Sequence, residues 1–436
     1  MGMMEGKANN KYSNLPAGWE MKRLKDVAIN CGDYGANAPA LPYKAGDIRY
    51  IRITDIDDYG HLISDDKASL DETIAQNYLL KNNDILFART GDTVGKSLLY
   101  KSSMGRSAYA GYLIRFTLDE KQILPDYFDA IAKSDIFEAF KISMKRIGAK
   151  PNINSREYGI FRFPVPLNLG EQKEIAKLFS KVDEAIASIQ YSIAAAKRLK
   201  KSLMQTLLTG KMKPDGTFRT SDEFYIDEKF GKVPVGWEIK RIKDFGEILT
   251  GKTPPTDEPE VFSDKEHGFM FITPGDLDTA KYIEETERYV SVKGMRYSYV
   301  IPKGSVCEVC IGSTIGKIGI TTEKCCSNQQ ITSVIVNNEH DAEYLYYAML
   351  SRREHFKSVA GINATPQINK SGYSKYKVLC PRDKLEQIAI AKRISSVDKT
   401  INEQEQKIKS LERLKKSLMQ NLLTGKVKTN NKTLPL

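Results

Sequence analysis

Apolar residues recur at alternating steps of three and four along two long stretches of the chain. In the first they fall at Ile175, Phe179, Val182, Ile186, Ile189, Ile193, Ala196, Leu203 and Leu207, with Lys200 as the one interruption. In the second they fall at Ile390, Ile394, Val397, Ile401, Ile408, Leu411, Leu418 and Leu422, interrupted by Gln404 and Lys415. A mean spacing near 3.5 is the mark of a coiled-coil seam. Neither run holds an internal Pro or Gly until Gly210 and Gly425, which stand where a helix-ending glycine belongs. Roughly forty residues at ~1.5 Å each make a rod of about 60 Å. Such a rod needs a partner for its stripe, and the other rod of the same chain is the nearest candidate. If a pseudo-twofold axis relates them, they run antiparallel.

The remaining sequence is mixed. "DIRYIRITDI", "DILFART", "SLLYKS" and "YLIRFTL" have strand character, and "PDYFDAIAKSDIFEAFKIS" reads as helix. A second series answers it: "FMFITPGDL", "SVCEVCIG", "KIGITTE", "ITSVIVN" and the helical "AEYLYYAMLSRREHFKSV". Short motifs repeat in the same order. "LPAGWEMKRLKDV" returns as "VPVGWEIKRIKDF", "GDTVGK" as "GSTIGK", "PNIN" as "PQIN", and "RLKKSLMQTLLTGK" (Arg198–Lys211) as "RLKKSLMQNLLTGK" (Arg413–Lys426). The last pair differs only at Thr206/Asn421. The chain is therefore one unit, a globular segment followed by a helix, used twice. The predicted class is α+β: two mixed α/β domains separated by two long antiparallel coiled-coil-like helices, with an internal pseudo-twofold repeat. The expected division is a first domain over 1–169, a central helix over 170–211, a polar linker over 212–232, a second domain over 233–384, a distal helix over 385–426 and a tail over 427–436.

Composition narrows the function. A formal net charge of +11 over 436 residues favours an anionic partner, with nucleic acid the commonest. No stretch approaches the ~20 apolar residues of a membrane span, and the N-terminal segment lacks a secretory h-region, so no membrane association and a cytoplasmic location are expected. Cys307 and Cys310, with Cys325 and Cys326, pose a zinc question. Residues three apart on a strand point to opposite faces, which suits chelation poorly. The first half of the chain also repeats the design without these cysteines, so reduced thiols are expected and no metal.

Enzyme signatures are weak. Gly91-Asp-Thr-Val-Gly95-Lys96 has three residues between its glycines where a phosphate-cradling P-loop has four, and a strand-like run follows it. Trp-Glu-x-Lys, at Glu20/Lys22 and Glu238/Lys240, lacks the second acid that a metal-dependent nuclease requires. Four scattered histidines offer no triad or metal spacing. No catalytic residue is assigned; the chain reads as a binder.

Taken in order, two "GWE-x-K-R-x-KD" openings, two Gly-x-x-x-Gly-Lys turns, two "E-Q-x-x-I-A" helix starts and two "LKKSLMQxLLTGK" endings closely resemble the specificity subunit of type I restriction–modification systems. The resemblance runs over nearly the whole chain. It implies two target recognition domains, each reading one half of a bipartite asymmetric sequence in double-stranded DNA. It also implies docking of two modification (methyltransferase) subunits and, through them, two restriction subunits. S-adenosylmethionine, ATP and Mg would then sit only on those partners, leaving this chain non-catalytic and without a cofactor. An alternative is a protein-binding repeat scaffold that does not touch DNA. For DNA contact the phosphate candidates are Lys96, Arg106, Lys150 and Lys317. The base-reading candidates are Tyr109, Asn152, Asn154 and Arg156 in the first half, and Asn328, Gln329, Gln330, Asn363, Thr365, Gln367 and Asn369 in the second. Met204, Leu208, Met419 and Leu423 lie off the seam and form a second apolar face, the candidate surface for the partner subunits. Packing of that face on the chain's own globular domain is its competing reading.

Overall fold

The structure, a computed structural model, describes residues 15–63, 66–144, 151–361 and 366–428. It forms two compact units, Met1–Gln190 with Gln406–Leu436, and Tyr191–Glu405. The expected linear division therefore differs from the spatial one. Each unit combines a globular segment with one end of each long helix.

In the first unit, the Trp19–Arg23 strand pairs antiparallel with Arg162–Pro166, setting Trp19 opposite Pro166. A four-stranded antiparallel sheet runs in the order Asp33–Tyr34, Leu113–Phe116, Ile85–Ala88, Ser97–Leu99. A second sheet orders Leu41–Pro42, Ala68–Ser69, Arg49–Ile51 and Ser107–Tyr109, the last two parallel. The second unit repeats this plan. Trp237–Arg241 pairs with Lys377–Pro381, and a sheet orders Gly246–Thr250, Ile331–Val336, Val306–Val309, Ile318–Thr321 and Tyr282–Ile283. Its companion sheet holds Phe262–Ser263, Arg288–Val290, Phe269–Ile272 and Cys326–Ser327. The "DILF" and "VCEV" strands are buried along their whole length, which is why they read as unbroken apolar runs and not as alternation. Each predicted domain helix is two helices, Pro125–Ala132 then Asp135–Met144, and Ala342–Ser351 then Arg353–Val359.

The long helices cover Leu169–Leu207 and Lys384–Leu422. Within the second unit Lys197 bonds Glu405 at 2.9 Å while Lys200 bonds Asp398 at 2.5 Å, so the two helices run in opposite directions there. Within the first unit Lys415 bonds Asp183 at 2.5 Å. The expected helical stretches 208–211 and 423–426 are instead turns. Gly210 and Gly425 take positive φ, 67° and 71°, and break the helical hydrogen-bond ladder.

The expected linker is ordered too. Met212 is buried, and Phe224–Asp227 pairs with Gly231–Pro234 as a hairpin. Arg219 joins the Gly210 carbonyl to Glu386, which also accepts from the Trp237 indole at 3.2 Å. In the first unit the Trp19 indole donates to Glu171 at 3.3 Å. The "GWE" opening is thereby the tie between each globular segment and the start of its long helix.

Candidate nucleic-acid interface

Three loops converge at one end of the main sheet in each unit. In the first unit the Ile85–Ala88 strand ends at Arg89, and the glycine turn follows with Gly91 and Gly95 at positive φ. "PNIN" lies alongside it, the Gly91 amide donating to the Pro151 carbonyl at 3.0 Å and the Ile153 amide to the Arg89 carbonyl at 2.9 Å. The third loop, Ala110 to Tyr112, is tied in by the Arg89 amide donating to the Tyr112 carbonyl at 3.0 Å. In the second unit the corresponding bonds are Gly312 to Pro366 at 2.9 Å, Ile368 to Cys310 at 2.8 Å and Cys310 to Gln330 at 2.8 Å. The motifs that repeat in sequence are thus brought together in space, once in each unit.

This geometry sorts the predicted residues. Asn152 and Gln367 take equivalent places, each on a bridge beside the glycine turn, and both are exposed. Arg156 and Gln329 are exposed as well. Asn328, Gln329 and Gln330 lie beside the turn, Asn328 donating to the Gln330 side chain at 3.0 Å and Gln330 to the Ile311 carbonyl at 3.3 Å. Gln329 accepts from Thr253 at 2.6 Å. Lys150, Asn363 and Thr365 lie outside the described residues.

Other candidates turn out to be engaged in holding the fold. Asn154 accepts from the Glu157 amide at 2.9 Å and Asn369 from the Gly372 amide at 2.8 Å, so both are N-caps of short helices. Lys96 pairs with Asp58 at 2.8 Å and donates to the Ile56 carbonyl, while Lys317 donates to the Pro274 carbonyl at 3.2 Å. Each lysine fastens its glycine turn to a neighbouring loop of its own unit. Arg106 pairs with Glu72 at 3.3 Å on the surface.

Tyr109 needs correction, because it is 1% exposed and stands edge-on to Tyr78, and burial pushes its hydroxyl up to about 12. Strand register fixes the equivalence: Ile51 faces Tyr109 and Ile272 faces Ser327, so Tyr109 answers Ser327 and the counterpart of Gln330 is Tyr112. Tyr112 is 59% exposed. Aligning "LIRFTL" on "ITSVIV" would have found it, since each strand follows directly on that residue.

The apolar face proposed for partners is a second correction. Met419 and Leu423 are buried in the core of the first unit with Trp19, Ile175 and Phe179. Leu208 is buried, and Met204 packed, against the core of the second unit with Trp237 and Ile390. The competing reading holds: this face covers the chain's own domains, because the positive-φ glycines turn the chain beneath the "GWE" segment. Outward on the same turns stand Arg198, Lys201, Ser202 and Gln205, and, identically, Arg413, Lys416, Ser417 and Gln420. Even the single difference is neutralised: the Thr206 hydroxyl donates to the Ser202 carbonyl and the Asn421 amide to that of Ser417, each at 2.9 Å.

All six cysteines are free and five are buried; burial pushes the Cys307 thiol up to about 12. Among the described residues no group of His, Cys, Asp or Glu could hold a metal ion.

The model of the type I restriction modification DNA specificity domain matches this chain twice, over residues 16–198 and 234–413. The chain belongs to this family. Its relatives include a putative type I restriction enzyme specificity subunit, MjaX, of Methanocaldococcus jannaschii, 24% identical over 96% of both chains. The specificity subunit of the type I enzyme HindI of Haemophilus influenzae is 32% identical, over 45% of this chain and 42% of that one, so the match spans less than half of that relative. The fold is that of the solved type I S subunit from M. genitalium, with TM-score 0.60, 14% identity and coverage of 94% of this chain and 96% of that chain. A chain solved for complex assembly and conformational transition of the type I R-M system gives TM-score 0.53 at 15% identity, over 95% of this chain and 100% of that chain. As a type I specificity chain, the protein has DNA-sequence recognition as its role.

Proposed function

We propose that the chain reads a bipartite, asymmetric DNA target, one half-site per unit, and contributes no catalytic group of its own. The observation that carries this is the twofold occurrence of the same loop junction with different side chains on it. Asn152, Arg156 and Tyr112 stand on the first, and Gln329, Gln330 and Gln367 on the second. One backbone frame with two chemistries suits two readers of different half-sites. The recognition domains are proposed over 1–169 and 233–384, with the long helices between them as the spacer.

Partner docking is the second part of the proposal. The identical outward sets at Arg198 to Gln205 and Arg413 to Gln420 suit two copies of one partner, a modification subunit, with restriction subunits joining through it. S-adenosylmethionine, ATP and Mg belong to those partners. Salt titration of DNA binding by the assembled complex tests the DNA reading. Each neutralised phosphate adds about −0.9 to the log–log slope, so a steep negative slope is expected. A flat slope would leave the protein-only scaffold standing in its place.

A further inference from the structure

Where the three loops of the first unit meet, one guanidinium has no acceptor among the described residues. Arg52 and Arg115 are tied to carboxylates, at 2.8 Å to Asp55 and 2.8 Å to Asp33. Among the described residues Arg89 has neither an ion pair nor a side-chain hydrogen bond, and its Nε is buried without a partner. A donor left in that state calls for an explanation. Its guanidinium lies over the ring of Tyr34, 4.8 Å from the centroid. That ring is itself held, since the Tyr34 hydroxyl accepts from the Ser155 amide at 3.2 Å. The Arg89 backbone is clamped on both sides, donating to Tyr112 and accepting from Ile153. The cation is thus held over a ring by a clamped backbone and, among the described residues, unneutralised.

We propose that Arg89 reads a guanine in the half-site bound by the first unit, its two-pronged donor edge meeting N7 and O6; this assignment rests on the half-site reading above. A mobile lysine suffices for a phosphate. A planar fork held over a ring and by a double backbone clamp matches the paired acceptors of guanine. The exposed Asn152 and Tyr112 beside it carry no charge, as base-facing neighbours should. The second unit has Cys310 at the same place, 2% exposed, its amide donating to the Gln330 carbonyl at 2.8 Å. The guanine contact therefore belongs to one half-site only.

The test is a modified-base map of a host genome carrying the complete system with wild-type chain, Arg89→Ala or Arg89→Lys. With Arg89→Ala, one G·C position in one half-site should become degenerate, discrimination falling roughly ten- to a hundredfold. The other half-site should stay intact, which reports that the variant is folded. Arg89→Lys should relax the same position, because an ammonium cannot span both acceptors, and it decides the matter if Arg89→Ala abolishes modification altogether. An unchanged motif in both variants, or degeneracy at an A·T position, overturns the assignment. So does a motif unchanged while the salt slope of binding drops by about one, the sign of a phosphate contact. A wild-type system with no bipartite motif would instead sink the half-site reading itself.

Discussion

Glu308 stands where the first unit has Phe87, since both face the residue that follows the turn lysine, Ile318 and Ser97 respectively. Phe87 stacks on Tyr158 at 4.8 Å, while Glu308 is buried beside the matching Tyr373. Burial pushes the Glu308 carboxyl up to about 8, with Asp278 adding to the rise and Tyr373 and Arg353 opposing it. The folded chain thus keeps a proton there at neutral pH that the unfolded chain gives up near 4.5. Between these values the folded state binds more protons, so this group makes stability fall as pH rises, and the loss is complete above about 8. Glu308→Gln should remove that slope and leave the variant the more stable one at pH 8.5 by roughly 1–3 kcal/mol. Urea unfolding at pH 5, 7 and 8.5 measures it; an unchanged slope would mean that the carboxyl is ionised in the fold. At this scale the sequence was legible in part. The Asn154-x-x-Glu157 capping box stands in the sequence itself, yet loop polarity suggested base contact for Asn154 because a short helix is invisible without its neighbours. Arg89 was passed over because its distinction is the absence of a partner, which only three-dimensional placement reveals.

The elements most legible in the sequence were those with a long period. The two rods followed from spacing alone, and only their last turns were misplaced, since the apolar pattern runs on through Leu208 and Leu423 into the turns. A Cβ at Gly210 would collide with Pro234, and one at Gly425 would stand 2.7 Å from Pro16. Gly91 has a similar φ of 69° but nothing within 4 Å. Strain from positive φ alone costs roughly 1 kcal/mol, and a clash adds to it. Gly210→Ala and Gly425→Ala should therefore each lose about 2–3 kcal/mol, and Gly91→Ala about 1 kcal/mol. Equal losses at all three positions would show that the helix ends do not press on the "GWE" segments. The hairpin of Phe224–Pro234 escaped notice because its strands are short and mostly exposed, so polarity masked their alternation.

Across the whole molecule, duplication was the strongest signal and carried most of the architecture. It told which segments correspond, and strand register then set Tyr109 against Ser327 and Tyr112 against Gln330. It could not tell which apolar face of each helix end was covered, because burial depends on contacts far apart in sequence, such as Met419 with Trp19. Keeping the outward residues of the two helix ends identical while the loop junctions diverge is the pattern expected when one partner is met twice and two half-sites are met once each.

That division is open to one direct measurement. The first globular segment closes with the strand pair Trp19–Arg23 and Arg162–Pro166, so the stretch up to Pro166 can be exchanged for that of another family member. Genome-wide mapping of modified bases before and after the exchange reads both half-sites at once. The account predicts that one half of the bipartite motif changes and the other is retained with the same spacing. A map in which both halves change, or neither does, would contradict it.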